Sequence, residues 1–537
     1  MSTSDYPAVR LGRPRLSGLR AASAARSVPI ELWALAALVV LAAAIRIVTI
    51  DTQSLWADEA LTAYEARLPF GAMLNTVAHV ETTPPLYFLL IWVWGHVLGT
   101  GEIALRSIST LAGIALVPIG YLAARELVSR RAGLIAAALV AVNPFLIWYS
   151  QEARAYMLLA ALVGVSFVRF IRARREPSTR NLAWWAFLSS LALMTHFFAG
   201  FAVAPEALWL LWVSRTRIVA AAVALVAVVQ VAMLPFAFLD TAHGVGWIAA
   251  IPRLHRISDT AAEWGVSILY RRATILEGLV GAAVLLAVLL LLLSFGGDSR
   301  TRQAAKLGAV VAGTVLLVPL ALGFAGQDYF LSRNLIPAFI PLVTIVAGAC
   351  AAPRTRGGRV LGTALAAGLI AMFSLAAVLV QSKPYLERPN WRSVAHALGP
   401  ASVPRAVLAA DGTTADPLKI YLPHVTWVQS RTHRYLVGEI DVVGATKRLE
   451  VVSGRPRTAV PGRARSIRGP MGRPVPRSVA PAGVRLLHRF RVKNWIVARF
   501  VLSYPEMITI DRLDALASGF FRHTPRALLT FIQQPGR

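Results

Sequence analysis

Long apolar runs separated by short polar breaks fill the first two-thirds of the chain. They lie at about 30–50, 84–99, 104–125, 132–148, 155–171, 181–195, 198–214, 217–238, 274–294, 305–325, 334–352 and 359–381. Most approach the roughly 20 residues that a helix needs to cross a hydrocarbon core. The run at 84–99 differs. It is short, opens on Pro84-Pro85 and carries Tyr87, Trp92 and Trp94, side chains that suit the headgroup region. It is expected to lie in the interface or re-enter, which leaves about 11 spans. The first run is expected to stay as a helix, because it is longer than a signal-peptide core and lacks a clear small-residue cleavage site.

Beyond about residue 382 the pattern changes. Ala406–Ala410 and Trp495–Leu502 read as strands, and Ser393–Leu398 and Asp511–Ser518 as helix starts. The expected fold class is an all-α polytopic membrane protein with a small extracytoplasmic α/β C-terminal domain. Its parts are a basic tail (1–29), a membrane domain (30–381) with a first outer loop at 51–83, and the C-terminal domain (382–537). Within the last, 447–491 is rich in Arg, Pro and Gly, has Glu450 as its only acid, and lacks periodicity. It reads as a mobile solvated insertion, with binding of anionic envelope polymers as the alternative.

Composition agrees: 56% of residues are hydrophobic and the mean hydropathy is +0.59, which excludes a soluble globular protein. One cysteine, Cys350, rules out an intramolecular disulfide. The net charge of +28 would suit nucleic acid, but much of the arginine sits in short breaks between apolar runs, as the positive-inside rule requires. No nucleic-acid partner is expected. With 84–99 in the interface, the basic segments at 125–131, 169–180, 215–217, 300–306 and 354–359 fall on the tail's side, taken as cytoplasmic. Asp58/Glu59, Tyr149–Arg154, His196, the 239–273 loop, Asp328–Arg333 and the C-terminal domain fall on the other. A multi-pass cell-membrane protein with an extracytoplasmic site is the expectation.

Acidic residues are scarce, 27 in all, yet Asp51, Asp58, Glu59, Glu65 and Glu81 share one loop with a single arginine, Arg67. A carboxylate at a membrane surface can act as general base toward a hydroxyl; a solvated charged loop is the plainer alternative. Asp58 and Glu59 are neighbours and cannot share a helix face. One can reach the reaction centre while the other orients substrate, packs near Arg106 or caps a helix. Glu81 precedes a Pro-Pro turn that restrains it. Glu102 and Arg106 have the spacing of a local helical ion pair.

A second cluster runs from Asn143-Pro144 through Tyr149, Gln151, Glu152 and Arg154. An arginine at this depth suits a phosphate; a structural Glu152–Arg154 pair is the alternative. His196 ends a helix, where a histidine can be structural or catalytic. Arg333 is a second phosphate-ligand candidate. Glu206 lies inside an apolar run, a placement that leaves a transporter or flippase of a lipid-linked saccharide open. Phosphate-loop, nucleophile-elbow and zinc-protease motifs are missing.

The segments Leu55-Trp56-Ala57-Asp58-Glu59, Thr83-Pro84-Pro85-Leu86-Tyr87-Phe88, Ile147 to Tyr156 with Tyr149-Ser150-Gln151-Glu152-Ala153-Arg154, and Thr195-His196 together resemble bacterial GT-C glycosyltransferases. Phe330 to Pro337 and Pro389-Asn390-Trp391-Arg392 add to this. The group resembled is glycosyltransferase family 39, the protein-mannosyltransferase and aminoarabinose-transferase-like enzymes. Thr83 stands where members often carry His, and Asn334 where many carry Tyr. The resemblance implies a polyprenyl-phosphate-linked sugar donor and a catalytic Asp in the first outer loop, which maps onto Asp58. Glu59, Glu81, Arg106, Tyr149, Gln151, Glu152, Arg154, His196 and Arg333 are the candidate substrate-binding residues. The metal requirement stays open, since the family includes members with and without a divalent ion. An envelope acceptor (protein, lipid or polysaccharide) is expected, alongside membrane lipids and with no obligate protein partner.

Overall fold

The computed structural model describes residues 29–239, 246–266, 281–282, 285–286, 289–290, 298–351, 355–382, 388–410, 415–422, 424–426, 433–445, 484–492, 495–513 and 528–535. The expected basic tail, most of the 274–294 run and residues 447–483 of the Arg-rich insertion lie outside the described residues.

The helical region begins with α1 (Ile30–Val48), followed by α2 (Ala57–Glu65) and α3 (Phe70–Val80) within the 51–83 loop. Then come α4 (Leu86–Leu98), α5 (Glu102–Leu127), α6 (Arg130–Val142), α7 (Pro144–Ser150), α8 (Tyr156–Arg175), α9 (Thr179–Thr195), α10 (Ala199–Val213) and α11 (Arg217–Leu239). After the short α12 (Gly246–Ala249) follow α13 (Arg253–Val266), α14 (Ser299–Phe324), a 3-10 turn (Ile336–Ala338), α15 (Phe339–Ala351) and α16 (Arg356–Ser382).

Six of these helices are long and apolar enough to cross a membrane, and seven if the bent pair α6–α7 is one span. The expected eleven is not confirmed: most of the 274–294 run lies outside the described residues, and other runs form shorter helices. α10 and α15 have 15 and 13 residues, about 20 Å of rise against a core of about 30 Å. The 13-residue α4 is likewise too short to span, as its tryptophans foretell. Trp92 Nε1 donates to Leu68 O at 2.9 Å and Trp94 Nε1 to Ser107 Oγ at 2.8 Å, so each apolar ring body keeps its polar end satisfied.

α5 is the central post, packed against α1, α6, α8 and α15. Small residues permit this closeness: a Cβ on Gly133 would come within 2.9 Å of the Tyr121 carbonyl oxygen. The ends of α5 differ chemically. At its C-terminus Arg172 pairs with Glu126, and Arg300 donates to the carbonyls of Glu126 and Leu127. Arg130 pairs with Glu31 at 3.3 Å, and Arg131 donates to Thr363. The basic breaks therefore gather at one end. About 30 Å away along the same helix, Arg106 meets the acidic first loop.

The break between α6 and α7 sets the geometry of that acidic end. Pro144 has no N–H, so α6 stops and α7 restarts at 58° to it. Asn143 Oδ1 caps the new start by accepting from Leu146 N at 3.0 Å. Carbonyls freed by the break are taken up by a fully buried arginine from α1: Arg46 donates to Val140 O at 3.2 Å, Ala141 O at 2.9 Å and Ser150 Oγ at 3.0 Å. α7 thus delivers Tyr149 to Arg154 into the space beside α2.

The C-terminal domain starts with α17 (Trp391–Leu398) and carries a six-stranded mixed sheet. Its strands are β1 (Arg405–Ala410), β2 (Val425–Thr426), β3 (Arg434–Ala445), β4 (Val484–Val492), β5 (Trp495–Thr509) and β6 (Leu528–Gln533), with α18 (Leu418–Tyr421) between β1 and β2. The order is β2-β6-β1-β3-β5-β4, with only β1 and β3 parallel among these pairs. The expected α/β character is observed. The insertion expected to run to 491 ends earlier, because Val484–Val492 pairs antiparallel with β5. Leu486, His488 and Phe490 supplied a two-residue period that Arg485, Arg489 and Arg491 masked. The helix expected at 511–518 is described only to residue 513. Trp391 and Trp495 stack 4.3 Å apart between α17 and the sheet.

Candidate active site

The 51–83 loop is helical, and α2 puts its two adjacent carboxylates to different uses. Glu59 is fully buried. Its carboxylate accepts from Arg106 Nε and Nη2, both at 2.7 Å, from Ala153 N at 2.9 Å and from Trp56 N at 3.3 Å. Burial alone would raise this carboxyl, but the charge and hydrogen bonds of Arg106, with help from Arg388 and the Ala153 amide, hold it below the usual range. Glu59 both packs on Arg106 and caps the start of α2. Arg106 spends its remaining donors on the carbonyls of Ile50, Gln53 and Ser54, so it is a fastening of the loop. Glu102 lies 3.9 Å from Arg106 and also binds Arg392.

Asp58, one residue earlier, points elsewhere. Its side chain is 31% exposed and faces Arg333 Nη1 at 3.5 Å. Arg333 lies over the rings of Trp56, at 5.9 Å, and Tyr156, at 5.6 Å. Its charge is reinforced: burial would lower the guanidinium, but Tyr156 and Asp58 raise it. Asp58 and Arg333 are thus a partly open acid–base couple framed by aromatic faces.

Arg154 is engaged differently. It forms a bidentate pair with Glu81 at 2.6 and 2.8 Å, reaches Thr62 Oγ1 at 3.4 Å and lies over Phe88. Burial would lower it, and the Glu81 charge and hydrogen bonds raise it well above its ordinary value. The alternative Glu152–Arg154 pair does not form. Glu152 binds Arg388 instead. Burial pushes the Glu152 carboxyl up to about 7; Arg388 pulls it down, while Glu59 adds to the rise. Gln151 is tied to Thr49, the Arg46 carbonyl and Gln381. Tyr149 stacks edge-on with Tyr156, which in turn faces His196 at 6.0 Å. His196 Nδ1 accepts from Phe198 N at 3.2 Å, which leaves any ring proton on Nε2. Burial, with Arg154 and Arg333 nearby, pushes its pKa down to about 3, so the ring is neutral.

All ten residues singled out in the sequence therefore gather at one end of the bundle. Three others were given no role in the sequence reading, Glu65 among them although it was counted in the acidic loop. Arg388, just before Pro389, reaches Glu59, Glu152 and Gln151 O. Arg46 is a lone arginine inside the first apolar run, and that signal could have found it. Glu65 is fully buried, and neither carboxyl oxygen has a hydrogen-bond partner. Burial and the neighbouring Glu81 push it up to about 9, so it is a neutral acid at pH 7. Glu206, inside the bundle, accepts from Trp185 Nε1 at 2.8 Å and Ser166 Oγ at 3.1 Å.

Residues 82–239 match the family of dolichyl-phosphate-mannose-protein mannosyltransferases. The chain resembles a membrane glycosyltransferase. The matched stretch holds Arg106, Gln151, Glu152, Arg154 and His196, and leaves Asp58 and Arg333 outside it. No curated protein sequence matches the chain. Among solved structures, ArnT from Cupriavidus metallidurans bound to undecaprenyl phosphate is similar with a TM-score of 0.49 and 14% identity, over 78% of this chain and 94% of that one. The Archaeoglobus fulgidus oligosaccharyltransferase in complex with Zn and sulfate is similar with a TM-score of 0.40 and 16% identity, over 67% and 54%. The S. cerevisiae protein O-mannosyltransferase Pmt1–Pmt2 complex bound to the sugar donor gives 0.30 and 16%, over 44% and 37%.

Whether this glycosyltransferase-like site would hold a divalent ion can be read from its donors. Among the described residues no three His, Cys, Asp or Glu side chains converge. Asp58 faces a guanidinium, and Glu59 and Glu81 are each bound to one. The donor set does not fit a cation.

Proposed function

We propose that this protein transfers a sugar from a polyprenyl-phosphate donor to a hydroxyl of an envelope acceptor. The site lies on the extracytoplasmic face, opposite the end where the basic breaks collect. That assignment follows from the positive-inside rule and places the C-terminal domain outside as well.

The observation that carries the reading is the Asp58–Arg333 couple: a partly exposed carboxylate and a partly exposed guanidinium 3.5 Å apart, at the polar end of a membrane bundle. Arg333 is the arginine that supports binding of the donor phosphate, because Arg106 and Arg154 are already held bidentate by Glu59 and Glu81. A phosphate arriving at Arg333 replaces Asp58 as its partner and frees that carboxylate.

The reaction is then a single displacement. The acceptor oxygen gives its proton to Asp58 as it bonds to the anomeric carbon. The bond from that carbon to the phosphate oxygen breaks, and its electron pair leaves on the polyprenyl phosphate, whose charge Arg333 stabilises. Phosphate leaves readily, so no strong acid is needed, and neutral His196 supplies none. One displacement inverts the anomeric configuration. The test is transfer by purified protein in nanodiscs from a panel of polyprenyl-phosphate sugars to an envelope extract. An inverted product supports the scheme, and a retained configuration contradicts it.

A further inference from the structure

The site's catalytic helix is held from two sides. On one side is Arg106, within the membrane bundle. On the other is Arg388, from the segment that enters the C-terminal domain, and the reaction scheme above gives it no role. Arg388 Nη1 donates to Glu59 Oε2 and to Gln151 O, both at 3.3 Å, and Nη2 binds Glu152. The guanidinium carbon sits 4.5 Å from the Trp148 ring centre and 5.7 Å from that of Trp56. Its main-chain N–H donates to Gln53 Oε1 at 3.0 Å. The next residues continue the grip: Ser54 Oγ donates to Pro389 O at 2.9 Å, and Trp391 N donates to Ser54 Oγ at 3.0 Å.

These contacts converge on the two residues that flank the proposed base. Trp56 is the N-cap of α2 and Glu59 is in its first turn, so fixing both fixes the direction of Asp58. The Asp58 side chain faces Arg333, the group that the donor would occupy. With donor bound, the orientation of Asp58 falls to its neighbours. Arg388 also joins α2 to the 151–152 turn leading to Arg154, alongside the Ala153 N–Glu59 bond. Its side chain is 8% exposed, so the charge works in a medium of low dielectric, where such bonds are strong.

We propose that Arg388 is a positioning residue: it locks α2 and the 151–154 turn into one rigid unit, so that the C-terminal domain completes the active site. This rests on the glycosyl-transfer reading for its catalytic consequence, but its structural part is separately measurable. A misplacement of about 1 Å costs on the order of a hundredfold in rate.

The experiment uses the full chain in nanodiscs, as wild type, Arg388→Gln, Arg388→Lys and Arg392→Gln. Arg392 is a more exposed docking contact, to Glu102, Asp51 O and Gln53 O, and serves as the control for domain docking. Expected for Arg388→Gln is a kcat about a hundredfold lower with donor KM within about threefold, partial recovery with millimolar guanidinium, and faster hydrogen exchange confined to 53–66 and 148–156. Arg388→Lys recovers less than guanidinium does, because an ammonium cannot reproduce the fork. Arg392→Gln stays within about threefold of wild type. An unchanged kcat, an equal loss in Arg392→Gln, or faster exchange throughout the bundle overturns the proposal. If wild type transfers no sugar, the glycosyl-transfer reading fails; the exchange pattern still supports or overturns the locking role.

Discussion

Asp58 and Arg333 stand 275 positions apart in the sequence and meet at 3.5 Å, carboxylate to guanidinium. The Glu59–Arg106 and Glu81–Arg154 pairs beside them are shorter and more deeply buried. Glu59–Arg106 lies at 2.7 Å and Glu81–Arg154 at 2.6 Å. Asp58–Arg333 is the looser and more exposed of the three pairs, and the two tight pairs hold the frame.

Arg333 therefore governs donor affinity. Arg333→Ala should raise the Kd for a polyprenyl-phosphate sugar by about tenfold to a hundredfold, the range of a lost charge-assisted hydrogen bond. Arg333→Lys should recover part of it. Binding of a fluorescent polyprenyl phosphate to nanodiscs measures this, and an unchanged Kd would place the phosphate elsewhere.

The Glu59–Arg106 pair should behave as structure. Arg106→Leu strands a buried carboxylate and should destabilise the protein by about 3–5 kcal/mol. Removing both charges with Glu59→Leu/Arg106→Leu should cost less than the sum of the single changes, because neither member of the pair is then left buried without the other. Thermal unfolding of the three variants reads this coupling.

Glu152 makes stability depend on pH. Its folded pKa of about 7 lies above the ordinary carboxylate value of about 4.3, so the folded state holds the proton more tightly. The stabilisation is complete below about pH 4.3 and is lost as pH rises toward 7. The full effect is on the order of 3 kcal/mol for this buried group. Thermal midpoints from pH 4.5 to 7.5 should fall more steeply in wild type than in Glu152→Gln. His196, displaced from about 6.5 to about 3, acts in the opposite sense: the unfolded state takes its proton first, so its contribution falls as pH drops below about 6.5, equally in wild type and Glu152→Gln.

Arg46→Leu should lower stability by several kcal/mol, since it leaves the carbonyls of Val140 and Ala141 without their donors. Gly113 shows how closely this corner is packed: a Cβ there would meet Ser150 Oγ at 2.1 Å and Arg46 Nε at 3.2 Å. Gly113→Ala should reproduce part of the loss, measured by the same unfolding assay.

Much of this arrangement was legible in the sequence because membrane helices leave strong local signals. Apolar runs, the Asn143-Pro144 break, the tryptophans of α4 and the acidic cluster at 51–83 each report on a stretch of a few residues. Partner choice is not local. Arg154 had Glu152 two positions away and takes Glu81 instead, because α3 delivers Glu81 across the loop in a register that no spacing encodes. Arg388 was invisible for the same reason. Its partners Glu59 and Glu152 come from separate segments, and nothing near residue 388 announces them. The strand at 484–492 was hidden by arginines on its exposed positions, a composition that also fits a solvated loop.

The central claim is that Asp58 takes the acceptor's proton. Its most direct test is Asp58→Asn, which keeps the shape of the side chain and removes the base. Transfer of labelled sugar and donor binding are measured on the same nanodisc sample. Transfer lower by at least about a hundredfold, the contribution of a general base, with donor Kd within about threefold of wild type, is the predicted result. Transfer at wild-type rate by Asp58→Asn would contradict the account.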